Sequence, residues 1–259
     1  MRTHNPPVVL CFSGLDPTGG AGIQADIEAI SKHGCHAAPI ITANTVQDTS
    51  NVLNFEPVDA DLILEQAHTI LKDMAVSAIK IGMLGSAETT NAVYTLLKEF
   101  HDIPVILDPV LASGGGSSLA RKGLIETINK LIIPRTYILT PNTLEAQLLT
   151  NSKAQPEPAA KYLNKMGAKY VLLTGTHSKN PDVIHKLYFE SEIQKSFTYK
   201  RLNNEYHGSG CTLAASLAAL IAQKMDPINA CQKALDFTYR ALINANSLGN
   251  GQLIPDRNI

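Results

Sequence analysis

The stretch of this sequence best suited to chemistry is His207-Gly-Ser-Gly-Cys-Thr212, which runs directly into Leu213-Ala-Ala-Ser-Leu217-Ala-Ala-Leu220-Ile221. Leu213, Leu217, Leu220 and Ile221 recur at helical spacing, so Gly208, Ser209 and Gly210 fall where a helix begins. A helix start leaves its first N–H groups without intrahelical partners and gathers the positive end of the peptide dipoles. Glycines let a ligand approach that backbone closely, and the ligand it suits is an anion: a phosphate or a phosphoryl group in transit. Cys211 falls in the first turn, where the dipole is expected to lower a thiol's pKa and make it a candidate base. The plainer alternative is that Gly-Ser-Gly is only a loop and Cys211 buried filler.

Further polar residues punctuate the ends of predicted strands. Asp16 and several glycines follow the first strand and Gln47 the second; Met83, Asp108, Asn142 with Glu145, and Thr174-Gly175 follow later ones. Asn and Asp favour turns and caps. As a set, however, Asp108, Asn142 and Glu145 are the oxygen ligands that hold Mg²⁺ through waters. Phosphoryl transfer needs such a cation, positive dipoles around the moving group and a residue that takes the hydroxyl proton. The glycine-rich loop 14–22 fits neither common nucleotide motif. Gly14 and Gly19 have Walker A spacing, but Gly20 stands where the lysine belongs. Gly20-Ala-Gly22-Ile-Gln-Ala25 matches GxGxxA, yet residues 14–19 separate it from the strand, and no acid lies around Thr42–Val46 for a ribose hydroxyl. A small-molecule pocket loop is expected instead, with Asp16 or Asp26 bonding polar edges. His177, His185 and His207 read as loop histidines, His68 and Met74 as helix residues, and Cys11 as core.

The elements that must position these residues alternate. Strands are predicted at 8–13, 37–43, 78–81, 104–107, 136–139 and 169–174, and a hairpin around Ser191-Glu192. Helices are predicted at 23–30, 61–74, 87–100, 118–131, up to Leu149, at 157–167, and twice after residue 207. Asn44–Ser50 reads as a polar loop and Gly114–Gly116 as a mobile segment. Repeated β-then-α units with continuous Val/Ile/Leu strands predict an α/β fold: a central, mostly parallel sheet with helices on both faces, three layers in all. Ligands in such sheets bind beyond the carboxyl ends of the strands, where the polar punctuation falls. The 259 residues show no linker or repeat, so a single domain, 1–259, is expected. With 22 Lys+Arg against 23 Asp+Glu and no basic stripe, no nucleic-acid partner is expected. No apolar run is long enough to span a membrane and no signal-peptide layout opens the chain. Cys11, Cys35, Cys211 and Cys231 form no CxxC pair, which fits reduced thiols and a cytoplasmic location.

Ser13-Gly-Leu-Asp-Pro-Thr-Gly-Gly-Ala-Gly-Ile-Gln-Ala-Asp26, Lys80-Ile-Gly-Met-Leu84, Leu107-Asp-Pro-Val110, Thr140-Pro-Asn-Thr-Leu-Glu-Ala146 and His207-Gly-Ser-Gly-Cys-Thr212 occur in order along nearly the whole chain. Together they resemble the hydroxymethylpyrimidine/phosphomethylpyrimidine kinases of thiamine biosynthesis. The resemblance implies a ribokinase-like fold and ATP- and Mg²⁺-dependent phosphorylation of 4-amino-5-hydroxymethyl-2-methylpyrimidine, then of its monophosphate. It implies a pyrimidine pocket of Gly14, Ala21, Gln47, Met83 and Val110, with Asp26 nearby, and an Mg–phosphate set of Asp108, Asn142 and Glu145. Thr174 and Gly175 fall at the ATP side, and Gly208, Ser209, Gly210 and Cys211 match the anion hole. Cys211 replaces the aspartate common in related sugar and pyridoxal kinases. Family members are often homodimers. Some positions depart from the pattern: Asn44-Thr45 before the pocket glutamine, Asp48 after it, Thr174-Gly-Thr-His177 in place of Lys-Gly-Gly-His, and Leu202–Tyr206. The alternatives are a pyridoxine or pyridoxal kinase, or a pyrimidine-binding protein without catalysis.

Overall fold

The computed structural model describes residues 5–112, 114–116, 119–151, 155–176 and 180–259; His177 lies outside them. Among the described residues nine strands form one sheet: β1 (Val8–Leu15), β2 (His36–Gln47), β3 (Val52–Pro57), β4 (Val76–Ile81), β5 (Val105–Leu107), β6 (Ile138–Leu139), β7 (Tyr170–Leu173), β8 (Asp182–Phe189) and β9 (Glu192–Lys200). Their order is β3-β2-β1-β4-β5-β6-β7-β8-β9, with β2 through β7 parallel and β3, β8 and β9 antiparallel at the margins. The chain winds outward from β1 to β2 and then resumes on the other side with β4. The crevice at the β1/β4 boundary is therefore the switch point at which such sheets take ligands.

Burial on both faces explains the apolar strands. Along β1, Leu10 and Phe12 join a core with α2 (Ala60–Asp73), α3 (Ala87–Glu99), α4 (Leu124–Thr127), α5 (Thr143–Leu149) and α6 (Pro156–Lys165). Val9 and Cys11 point the other way, toward α1 (Gly22–Lys32), α7 (Ser209–Ala222) and α8 (Pro227–Ile243). The three expected layers are present. Helix α7 is buried from Thr212 to Ala222, and its alanines allow α1 and α8 to pack close on either side.

The structure corrects several local expectations. Residues 44–47 are strand, because β3, which lacks a clear alternating pattern, pairs with them from Ala43↔Pro57 to Gln47↔Val52. The hairpin turn centres on Glu190 and Ser191, both with positive φ, as a two-residue turn of right-handed strands requires. The predicted helix 118–131 forms only from Leu124 and ends in a π turn and a 3₁₀ turn. Gly114 lies against the Gln252 side chain and Gly115 against the Ser50 carbonyl and the Asn51 side chain, where a Cβ would not fit. No helix among the described residues is long and apolar enough to cross a membrane.

Candidate functional site

Two helix starts meet at the switch point. Helix α7 opens at Gly208, in the left-handed region at φ +81°, without a side-chain cap, and α1 opens at Ala21, also uncapped. The α4 and α6 starts also lack a side-chain cap, whereas α2, α3, α5 and α8 are capped by Asp59, Ser86, Asn142 and Asp226. The first amides of α1 and α7 are thus left for another partner. The Cys211 sulfur, in the first turn of α7, lies within the fields of Lys80, Asp108 and Asp26. Gly210 is exposed and a Cβ there would sit 3.7 Å from both Asp108 carboxylate oxygens, so the start of α7 is open and faces an acid. The absence of a side chain at Gly208 has a second use: a Cβ would overlap the Gly20 carbonyl, so the α7 start interlocks with the 14–22 loop.

Beneath this cleft lies a charge pair that the sequence reading missed. Lys80 Nζ stands 2.8 Å from Asp26 Oδ1 and 2.8 Å from Ser13 Oγ, with both charged side chains 0% exposed. Ser13 also donates to Asp26 Oδ2 at 2.6 Å. A Cβ on Gly82 would fall 2.6 Å from the ammonium, which accounts for the glycine. The signal available was a lysine inside the apolar run Ala78-Ile-Lys-Ile81. Asp26 is accordingly corrected: its carboxylate is turned to Lys80 and Ser13 and presents no surface to a ligand.

The expectation for Cys211 is corrected as well. Burial drives its pKa up to about 12; Lys80 pulls it down, but Asp108 and Asp26 add to the rise. Desolvation outweighs the helix-start effect and the sulfur is a thiol in this state. Lys80 is held firmly protonated: its own burial opposes the charge, and Asp26, Cys211 and Asp108 more than compensate.

Asp108 and Glu145 form an acidic pair. Burial raises both carboxyls above their usual range; Lys80 lowers Asp108, while the charge of Asp108 raises Glu145 further. Asp108 Oδ2 is buried without a hydrogen-bond partner. Asn142 and Glu145 form a capping box on α5, the Asn142 side chain accepting from the Leu144 and Glu145 amides and Glu145 Oε2 accepting from the Asn142 amide. The turn-and-cap reading thus holds for both, with one Glu145 oxygen left over. Thr174 bridges to Asn142 and its hydroxyl turns to the Pro141 carbonyl, while a Cβ at Gly175 would overlap the Ile184 carbonyl. Backbone packing explains the residue types at both positions. No group of three or more His, Cys, Asp or Glu able to hold a metal occurs among the described residues.

Beside the helix starts, Met83, Ala43, Val52 and Leu119 cluster with Val110 and Phe55 against them, and Gly14 lies where a Cβ would come 3.0 Å from Met83 Sδ. Gln47, at the end of β2, has its Nε2 2.7 Å from Thr45 Oγ1, which donates to the Leu15 carbonyl at 2.8 Å. Ala21 backs onto Gly208, its amide donating to Asp16 Oδ2. Of the predicted pocket residues, Gly14 lies against Met83 and Val110 packs on the same cluster; Gln47 pairs with Val52, Ala21 lies against Gly208, and Asp26 is sealed against Lys80.

Two more residues fix the walls. His207 is buried, its Nε2 2.7 Å from Asp16 Oδ2, and is no free loop histidine. Burial alone would raise Asp16, but hydrogen bonds from His207 and Thr18 hold its carboxyl below its usual range. His185 likewise sits in β8, buried, with Nδ1 unpartnered. Arg257 is the largest fully buried side chain; it donates to Thr212 Oγ1 at 2.8 Å, to Glu28 at 3.0 Å and to the Gly20 carbonyl. Nothing in the sequence around residue 257 signals this.

Uncapped helix starts, a buried acid pair and a small apolar cluster at the switch point of this three-layer sheet fit a ribokinase-like phosphotransferase. The profile of the phosphomethylpyrimidine kinase family matches residues 16–256, and the chain belongs to that family. It is 35% identical over 247 residues to the hydroxymethylpyrimidine/phosphomethylpyrimidine kinase of Bacillus subtilis (strain 168), spanning 93% of this chain and 91% of the relative. Identity to the enzyme of that name from Rhizobium meliloti (strain 1021) is 33%, over 95% and 94% of the two chains. Among solved structures, phosphomethylpyrimidine kinase from Clostridium difficile 630 aligns with TM-score 0.79 at 28% identity, over 92% of this chain and 99% of the other. The ADP complex of Bacillus subtilis pyridoxal kinase aligns with TM-score 0.89 at 25% identity, over 98% of both.

Proposed function

We propose that this kinase transfers the γ-phosphoryl group of ATP to the hydroxymethyl group of 4-amino-5-hydroxymethyl-2-methylpyrimidine, and then to the phosphate of the monophosphate, in thiamine biosynthesis. The observation that carries the reading is the convergence of the uncapped α1 and α7 starts on Cys211 and Asp108, beside the pocket of Gly14, Gln47, Met83 and Val110. The amides of Ser209, Gly210 and Cys211 face developing negative charge on the moving group. Gln47 bonds the aminopyrimidine edge, Met83 and Val110 pack on the ring, and the Gly14 and Ala21 backbone closes the pocket. Asn142, Thr174 and Gly175 border the nucleotide.

Asp108 and Glu145 fit Mg²⁺: both offer oxygen, both are driven toward protonation by burial, and one Asp108 oxygen lacks a partner. When bound there, the ion neutralises phosphate charge. Cys211 is the residue placed to take the hydroxyl proton. It is a thiol in the free chain, so it takes that proton only after giving up its own to a neighbouring base.

The test is steady-state turnover with Mg-ATP on the pyrimidine, its monophosphate and pyridoxal. ADP release with both pyrimidine forms supports the reading, and a clear preference for pyridoxal at equal concentration overturns it. The likeness to pyridoxal kinase over 98% of the chain is what favours that second reading. Binding of the pyrimidine with no ADP formed would point instead to a protein that has kept the pocket and lost catalysis. We further take the chain to act as a single domain, a homodimer in the cytoplasm; light scattering on the purified protein tests the dimer.

A further inference from the structure

We propose that Thr45 fixes which way round the Gln47 amide stands, and so makes the pocket select a ring amino group over a ring oxo group. The proposal rests on the pyrimidine pocket described above and adds a specificity-determining residue to it.

The argument is one of donors and acceptors. Thr45 is buried at 8% exposure, on a strand shielded by β1 and β3. Its hydroxyl has one proton and lies 2.8 Å from the Leu15 carbonyl, a group that can only accept. That proton is therefore committed. Toward Gln47, at 2.7 Å, the Thr45 oxygen can only accept, so Gln47 must present its NH₂. The reversed amide would set two acceptors face to face, or strip Leu15 of its donor, a loss worth about tenfold in occupancy. The network thus decides between the two orientations of the amide.

With its nitrogen tied down on one side, Gln47 offers a ligand Oε1 and its second N–H. A 4-aminopyrimidine edge presents a donor at the amino group and an acceptor at the adjacent ring nitrogen, which matches. The 4-oxo ring presents an acceptor and an N–H donor in the same places and opposes both. A site whose polar groups are fixed in one orientation rejects the mismatched edge much more strongly than one free to rotate.

The experiment uses the full chain as wild type, Thr45→Val and Thr45→Ser. Binding of 4-amino-5-hydroxymethyl-2-methylpyrimidine and of its 4-oxo analogue is measured by calorimetry without nucleotide, and kcat and KM are measured for both with Mg-ATP. Thr45→Val is expected to lose roughly 10- to 50-fold of the amino-over-oxo preference, through affinity and KM, with kcat for the amino ring changed by less than about threefold. Thr45→Ser, which keeps the hydroxyl, is expected to retain the preference. A folded Thr45→Val protein with the wild-type ratio overturns the proposal, as does loss of the ratio in Thr45→Ser, whose folding is judged by circular dichroism. If wild type binds neither ring, the pyrimidine reading itself falls and takes the proposal with it; wild-type binding with an unaltered Thr45→Val ratio removes only the proposal.

Discussion

Lys80 Nζ and Asp26 Oδ1 lie 2.8 Å apart with neither side chain exposed to solvent, directly below the start of α7. A pair this deep has lost its hydration on both sides, so its worth lies in each charge having the other. Removing one partner strands the second. Lys80→Met is expected to destabilise the fold by about 3–5 kcal/mol, while the Lys80→Met/Asp26→Asn double variant recovers much of that loss. Denaturant unfolding of the two singles and the double reads it out; additive losses would show the ion pair to be energetically idle.

Cys211→Ala removes the residue placed to receive the hydroxyl proton while leaving the backbone amides of α7. Turnover is expected to fall about 10²- to 10⁴-fold, with pyrimidine affinity kept within a few-fold. Wild-type turnover in Cys211→Ala would take the sulfur out of the reaction. Burial pushes the thiol up to about 12, so the free enzyme should react slowly with iodoacetamide at pH 8, because little thiolate is present.

Gly208→Ala tests the interlock between α7 and the glycine-rich loop. Position 208 has φ +81°, and a methyl group would overlap the Gly20 carbonyl. Backbone strain of about 1–3 kcal/mol is expected on conformation alone, and relief by moving the loop would disturb the pocket formed by Ala21. Both Tm and pyrimidine affinity should therefore drop. A change in Tm with affinity intact would mean that the loop does not transmit the shift.

His185 gives a prediction for pH. Burial lowers its pKa from the ordinary value to about 4, so the folded chain keeps the imidazole neutral. Between that value and about 6.5 the unfolded chain binds the extra proton and the folded one does not. Stability from this group is fully present above about pH 6.5 and declines as pH falls toward 4, by at most about 3 kcal/mol. His185→Phe should reduce the difference in Tm between pH 7 and pH 4.5; an unchanged difference would assign the acid sensitivity to other groups.

What could be read in advance was local. The apolar runs and helical spacing gave the order of strands and helices, because a buried strand and a packed helix each impose their own period on adjacent residues. Polar residues at strand ends marked the crevice, since a sheet of this kind puts every such end on one side. Strand β3 escaped because Val52–Pro57 has no pattern apart from its pairing with β2.

The sequence by itself determined that Gly208–Cys211 opens a helix and that Gln47, Met83, Asp108, Asn142 and Glu145 lie at or just beyond strand ends, because those facts follow from spacing along the chain. Only the tertiary structure decided that Asp26 is sealed against Lys80, that Cys211 is a thiol, and that Arg257 ties the loop carbonyl of Gly20 to Thr212. The reason is that desolvation and hydrogen bonding depend on what lies within a few ångströms in space, and the partners here come from residues 26, 80, 108, 211 and 257.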